Sequence, residues 1–464
     1  MSIEETDAIF ARAYASAITK KFIPGGINKN TQVVFLSPLV QRGIAGGDLI
    51  PEPVTNYMVY KAADNLLGAD DPSYIGGGQA SYIQSLRSYA DYIDTKTNRS
   101  PAVVTRMVKA RDAVDITEKK FEEEEDKAWA RYEKAKDHFP GVSFNDWASE
   151  SAPGFNSAKE RRNAAYNELD SAAQLFDGPQ ASALYAIRNK IRNAQERTTV
   201  YSGLNQIAVS GDIDLLNEAL IAANGGKKLE AGKLESFRVP AYSVQGYLIT
   251  LKEWIRRGGQ AEPVRTESLK IDVSSGFSSK WEDFGYKKVE GRGSIGIFPF
   301  FHVTVKTSSE EKSYKLDTAG KETEISLELK AIGFQLVQVE AGEWDVRGIK
   351  TMFPDLLPDA PKVLTSDLAR VSSILFGYDV ALTVTFGSKL RTEAKDLYEK
   401  ARSSGGSLTI FGFHVAGSGG GGSSEQVKTD FEHVNWDNAT GSITLTPAPQ
   451  QVYPTLLAVL GQRL

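Results

Sequence analysis

Residues Ala102–His138, AVVTRMVKARDAVDITEKKFEEEEDKAWARYEKAKDH, carry the pattern on which the reading of this chain turns. Val103, Met107, Ala110, Val114, Thr117 and Phe121 follow alternating four- and three-residue steps, the rhythm of a helix that buries one seam. Ala128, Tyr132 and Ala135 prolong it. A second segment, Ser157 to Arg197, has the same character: Ala158, Ala165, Leu169, Ala172 and Phe176, then Leu184, Ile187, Ile191 and Ala194. Alanines on both seams let two helices approach closely. The stretch between them is punctuated by Pro and Gly, so the economical arrangement is a long antiparallel helical hairpin whose first arm runs roughly 50 Å. In the returning arm, "DGPQ" at Asp177–Gln180 predicts a kink, because proline has no backbone N–H to donate there.

The tip of this hairpin, residues 139–156, is the first candidate site. Phe139, Val142, Phe144, Trp147 and Phe155 crowd a short connection, and apolar groups exposed at the end of a rod mark an interaction surface. Burying each contributes about 1.5–3 kcal/mol, so several together suffice to hold a membrane surface or a protein partner. The layout is similar to that of helical pore-forming toxins, which pair long hairpins with an apolar tongue; the likeness is architectural and no motif carries it. The acidic run Glu122–Asp126 lacks the alternating ligand spacing of a calcium loop and reads as a solvated helix face.

Outward from the hairpin, residues 1–100 read as helices separated by irregular stretches. Ile9, Ala13, Ala17 and Ile18 share one helical face, as do Ile83, Leu86, Ala90 and Ile93, with Tyr82 and Tyr89 at that face's edge. Residues 201–265 form a mixed connecting region, with helices expected in "SGDIDLLNEALIAANGG" and "VQGYLITLKEWIRRGG", strand being the alternative for the second. From residue 266 to 464 the pattern turns to alternation. Strands are expected near 267–273, 293–306, 312–318, 322–330, 332–339, 371–387, 407–416, 428–435 and 441–446, with one helix in "SKLRTEAKDLYEKARSSGG". The fold class is therefore α+β: a helical N-terminal region with a long antiparallel hairpin, followed by an antiparallel β-sandwich-like C-terminal domain.

Composition narrows function. A net charge of -5 and the lack of any long basic stripe argue against nucleic acid as a partner. The chain has no cysteine, which excludes disulfides, thiolate metal sites and a cysteine nucleophile. The start carries no basic region followed by an apolar core, and no apolar run reaches the roughly 20 residues of a spanning helix. A soluble chain, cytoplasmic or exported by a non-classical route, is the expectation. No GxSxG, HExxH, Rossmann or kinase signature occurs.

The second candidate site lies in the β-rich part. "IFPFFHVTV" carries His302 and "IFGFHVAG" carries His414, each just after an aromatic run, in a chain with four histidines. With His433 in "DFEHVNWDNATG", three strands could offer three neutral imidazoles to a transition metal such as zinc, iron or copper, though no HxH or HxxxH spacing supports the set. Strand alternation puts His302 where one face turns from aromatic to polar, and His414 in a strand apolar on both faces. "GEWDV" offers Glu343 and Asp345 on one strand face as a carboxylate pair. "GSGGGGSS" at Gly417–Ser424 lacks the Lys-Ser/Thr ending of a phosphate loop and reads as a flexible hairpin loop. Two functions follow. One is an interaction or membrane-active protein, toxin-like or an assembly component, with a membrane surface or a protein partner on its hairpin tip and the β-domain as body, receptor-binding face or contact of a homo-oligomer. The other is a metal-dependent enzyme with a His-lined site acting on an apolar substrate.

Overall fold

The computed structural model describes residues 3–37, 43–48, 50, 52–74, 80–97, 99–135, 138–139, 142, 144–195, 204–210, 234–260, 264–287, 289, 300–306, 311–318, 320, 324–411, 413–414, 431–446 and 453–464. The loop Gly417–Ser424 lies outside them, and so does the helix expected at 210–226 but for Ser210, which ends the strand β3 (Leu204–Ser210). The fold is α+β, with helices dominating the N-terminal half and antiparallel sheets the C-terminal region. The chain folds as two compact units. Unit 1 gathers Met1–Ser85, Ser202–Glu343 and Thr365–Leu464; unit 2 gathers Leu86–Tyr201 and Trp344–Leu364. The first 85 residues thus fold with the strands of the C-terminal half, not as a separate helical region.

In unit 1, helix α1 (Ile3–Phe22) buries Ile9, Ala13, Ala17 and Ile18, the face its period predicts, and also Phe10, Ala11, Tyr14 and Ala15, so it is enclosed on more than that face. A six-stranded antiparallel sheet runs in the order β1 (Gln32–Leu36), β17 (Thr455–Arg463), β11 (Leu368–Tyr378), β10 (Gly333–Ala341) and β5 (Tyr242–Val244), with β2 (Leu66–Gly68) also on β11. Two of these strands come from stretches read as irregular, and β17 had no sequence signal of alternation at all. It lies between β1 and β11, and its residues Leu456 to Leu460 are all buried. A strand covered on both faces shows a continuous apolar run instead of alternation.

A five-stranded antiparallel sheet follows the order β15 (Val434–Asp437), β16 (Ser442–Leu445), β12 (Ala381–Phe386), β9 (Ile325–Ala331) and β6 (Glu267–Ile271). The stretch expected as one strand over 371–387 is two: β11 ends at Tyr378 and β12 begins at Ala381 in a different sheet. Asp379 takes a left-handed φ of 54° at this corner. Arg265 holds it, donating from Nε to the Asp379 carbonyl and from Nη2 to its carboxylate, both at 2.9 Å. On the partner strands Ile332 makes the same transition between β9 and β10, its N–H donating to Tyr378 O at 2.9 Å. A third antiparallel sheet has the order β14 (Phe413–His414), β13 (Ser407–Ile410), β7 (Phe301–Lys306) and β8 (Glu311–Lys315). The expected strand 407–416 also turns back on itself, at Phe411 with φ 54°.

Asp64 is the buried carboxylate that organises the start of α3 (Tyr82–Asp91). It accepts hydrogen bonds from Ser81 Oγ at 2.5 Å, Tyr242 OH at 2.8 Å and the Ile83 N–H at 3.0 Å. Burial raises its pKa above the ordinary carboxylate value, against those three bonds and Lys61, which lower it. The folded chain therefore holds this proton more tightly than the unfolded one. Stability from this group is fully present below about pH 3.9 and is lost as pH rises through the raised value. Asp64→Asn should remove that negative slope from a plot of unfolding free energy against pH. Parallel curves for the two proteins through the mildly acidic range would contradict it.

Unit 2 contains α4 (Pro101–Ala135), α5 (Phe144–Ser151), α6 (Pro153–Asp177) and α7 (Ala181–Gln195). Helices α4 and α6 pack antiparallel: Arg106 bonds Glu168 at 2.7 Å, while Arg131, near the other end of α4, donates to Ser151 O at 3.0 Å just before α6. The seam read from the sequence is the seam observed. Met107, Ala110 and Val114 pack with Ala165, Leu169, Ala172 and Phe176, and Val103 lies against this cluster. The returning helix breaks where Pro179 demands it. A 3-10 turn over Gly178–Gln180 separates α6 from α7, and Gly178 adopts φ 60° with Thr97 so close that a Cβ would meet its side chain at 2.9 Å.

Candidate functional site

The far end of the α4–α6 pair gathers six aromatic rings among small aliphatic side chains. From α4 come Phe121, Trp129 and Tyr132; α5 supplies Phe144 and Trp147; α6 supplies Phe155. Phe144 stacks on Trp129 with centroids 4.0 Å apart and planes within 5°, and meets Phe155 at 5.5 Å. Tyr132 meets Trp147 at 5.5 Å, and Phe121 meets Phe155 at 5.4 Å. Ala148, Ala152 and Ala158 fill the space between the rings.

The linker expected to be irregular is therefore largely the helix α5, which lays its apolar side on the pair. Asn156 Nδ2 donates to the carbonyls of Ala148 and Ser149 at 2.8 and 3.0 Å, and Arg131 to that of Ser151, so three of the last four carbonyls of α5 have side-chain donors. Tyr132 OH donates to Val142 O at 2.6 Å. Of the five predicted tip residues, Phe144, Trp147 and Phe155 are buried and Val142 is partly buried against them. Phe139 is the one that stands out, 43% exposed. The sequence predicts where the rings gather but not that α5 folds back over them, since that closure depends on contacts between three separate helices.

Two of the candidate histidines lie in one sheet and the third in a turn ahead of another. His302 on β7 lies opposite Thr409 of β13 on one side and Lys315 of β8 on the other. His414 on β14 is also opposite Thr409, from its other edge, so both histidines occupy one register row two strands apart. The His302 imidazole turns away from that row's centre: its Nε2 bonds Ser313 Oγ on β8. Burial first, and then the charge of Lys315, hold its pKa below the ordinary imidazole value. His433 ends a 3-10 turn ahead of β15 in the five-stranded sheet and is not on a strand. Among the described residues no group of three or more His, Asp or Glu has metal-holding geometry. Glu343 and Asp345 follow the end of β10 in a turn, so they do not share a strand face.

Beyond the predicted sites, unit 2 contains a buried charge cluster at the α6–α7 break. Asp177 is 0% exposed; its Oδ2 receives Arg188 Nη1 at 2.5 Å, and Oδ1 has no hydrogen-bond partner. Arg188 Nε donates to Ala90 O at 3.1 Å and lies 3.7 Å from the Asp91 carboxylate. Arg99 covers the Phe176 ring at 3.9 Å, donates to Phe176 O and pairs with Asp94 at 2.8 Å. The only sequence trace of this cluster was the kink itself.

Among the described residues no helix is long and apolar enough to cross a membrane. No protein-family model, curated protein or solved structure matches the chain.

Proposed function

We propose that this chain is an interaction protein, an assembly or toxin-like component whose contact element is the aromatic end of the α4–α6 pair. The observation that carries the reading is the concentration of rings there, with Phe139 exposed beside them. An ordinary helix connection needs a few turn residues; this one carries a small aromatic core of its own. Phe139 makes the first contact. The eight-residue α5 is a cover that a partner or a lipid interface draws aside, delivering Phe144 and Trp147.

Two variants test this. Phe139→Ser removes the exposed ring without touching the buried cluster and should weaken attachment about tenfold, the effect of roughly one lost apolar anchor. Ala148→Arg puts a charge where α5 meets the pair and should lift the cover, increasing binding to phospholipid vesicles or an apolar reporter dye. If neither variant changes vesicle or partner binding, the tip is not the contact element. If Ala148→Arg binds dye but not vesicles, the partner is a protein and not a membrane.

A second reading, a metal-dependent enzyme, draws on one observation: His302 and His414 share the register row at Thr409. Elemental analysis of the purified chain tests it. Stoichiometric zinc, iron or copper that His302→Ala removes would promote it over the first.

A further inference from the structure

The face of α4 turned away from its buried seam carries a second three-four rhythm. Ala102, Thr105, Lys109, Asp112, Ile116, Lys119, Glu123, Asp126 and Ala130 recur at these steps, and every one of them is exposed. Ile116, at the centre, is 68% exposed, an apolar side chain in the middle of a charged helix face. Read outward from Ile116, the stripe is self-complementary in reverse. Asp112 matches Lys119 or Lys120 on the other side, Lys109 matches Glu123, Thr105 matches Asp126 or Lys127, and Ala102 matches Ala130.

We propose that two copies of this chain associate through α4, antiparallel about a two-fold axis at Ile116. In that arrangement Ile116 meets its own symmetry mate, and each Lys109 faces Glu123 of the second copy. An isologous contact requires such reversal symmetry, because residue i on one copy meets residue j on the other and j meets i. A parallel pairing would set Lys109 against Lys109 and Glu123 against Glu123, so charge selects the antiparallel sense.

A shallow groove of about 570 Å³ runs along Ala102, Thr105, Lys109 and Ala113, with Glu168 on its other wall. The reversed register brings the acidic part of the second α4, around Glu123, onto the groove stretch holding Lys109 and Arg106. Arg106 remains in its pair with Glu168, and Glu123, which pairs with Lys120 at 3.0 Å, is exposed and free to share. This inference rests on the exposed side of α4 and stands independently of the tip.

Sedimentation of the full chain over a range of concentrations and salt tests the idea. The wild type should be a dimer that weakens as salt rises. Ile116→Glu should be monomeric. Lys109→Glu should loosen the dimer about tenfold, since symmetry counts the change twice, and adding Glu123→Lys to it should restore the dimer. Because the chain has no cysteine, Ile116→Cys gives a direct reading of the axis. Oxidation should link two copies there, while Asp115→Cys, one residue off the stripe, should not be linked. A wild type that is monomeric throughout overturns the proposal, and so does a dimer that the charge swaps leave unchanged.

Discussion

Arg188→Ala should destabilise unit 2 by about 3–5 kcal/mol, the cost of leaving a buried charge without its counter-ion. The Asp177 carboxylate has no solvent exposure, and Arg188 is the guanidinium bonded to it at 2.5 Å. Removing Arg188 also frees the carbonyl of Ala90, which then lacks this donor. The loss should appear first as faster amide exchange in α6 and α7, the two helices that meet at the break. Replacing both partners, Arg188→Met with Asp177→Leu, should recover much of the stability, since an apolar pair of similar volume carries no desolvation penalty. If the single variant loses less than about 1 kcal/mol, the pair does not hold the break and the buried cluster is incidental. If the double variant is as unstable as the single, the cost lies in packing and not in charge.

The second large effect belongs to Phe144. This ring stacks on Trp129 and touches Tyr132, Trp147 and Phe155, so Phe144→Ala removes the centre of the tip cluster. The expected loss is about 3–5 kcal/mol, the range for an aromatic ring truncated in a packed core. Because α5 is eight residues long, below the length at which an isolated helix is stable, it should unfold locally and leave the rest of α4 and α6 paired. The emission of Trp129 and Trp147 should shift toward that of solvent-exposed indole, while exchange at Met107 to Val114 stays slow. An unshifted spectrum would mean the cluster tolerates the cavity. Loss of protection along the whole of α4 would mean the tip is required for the entire pair.

These two expectations also bear on function. The tip rings that suggest a contact surface are the ones that hold α5 down, so Phe144 and Trp147 cannot be replaced without disturbing the local fold. Phe139 can, which is why it is the sharper probe of binding.

Legibility differed by the range of the interaction involved. The α4–α6 seam was readable because a helix repeats its buried side every three or four residues, within one local stretch: Met107, Ala110, Val114, Ala165, Leu169 and Phe176 are all where the rhythm puts them. The break at Pro179 was readable for the same reason, since proline's missing N–H is a property of the residue alone. Strand β17 was not. Buried on both faces, it has no alternation to detect, and its neighbours β1 and β11 lie hundreds of residues away in one case and nearly a hundred in the other. The corners at Asp379 and Phe411 carry neither Gly nor Pro at the left-handed residue, and the first depends on Arg265.

What the sequence determined by itself is the class of the fold, the helix pair with its buried seam, the kink in the returning arm and the place where the aromatic rings collect. All of these follow from periodicity and backbone chemistry that act over a few residues. Tertiary structure decided the rest: that the first strands join the last ones in a single sheet, that α5 closes over the rings, and that His302 and His414 fall in one row beside Thr409 while His433 ends a turn ahead of another sheet. Each of those depends on which distant segments find one another, and pairing register and packing between segments leave no repeating trace along the chain.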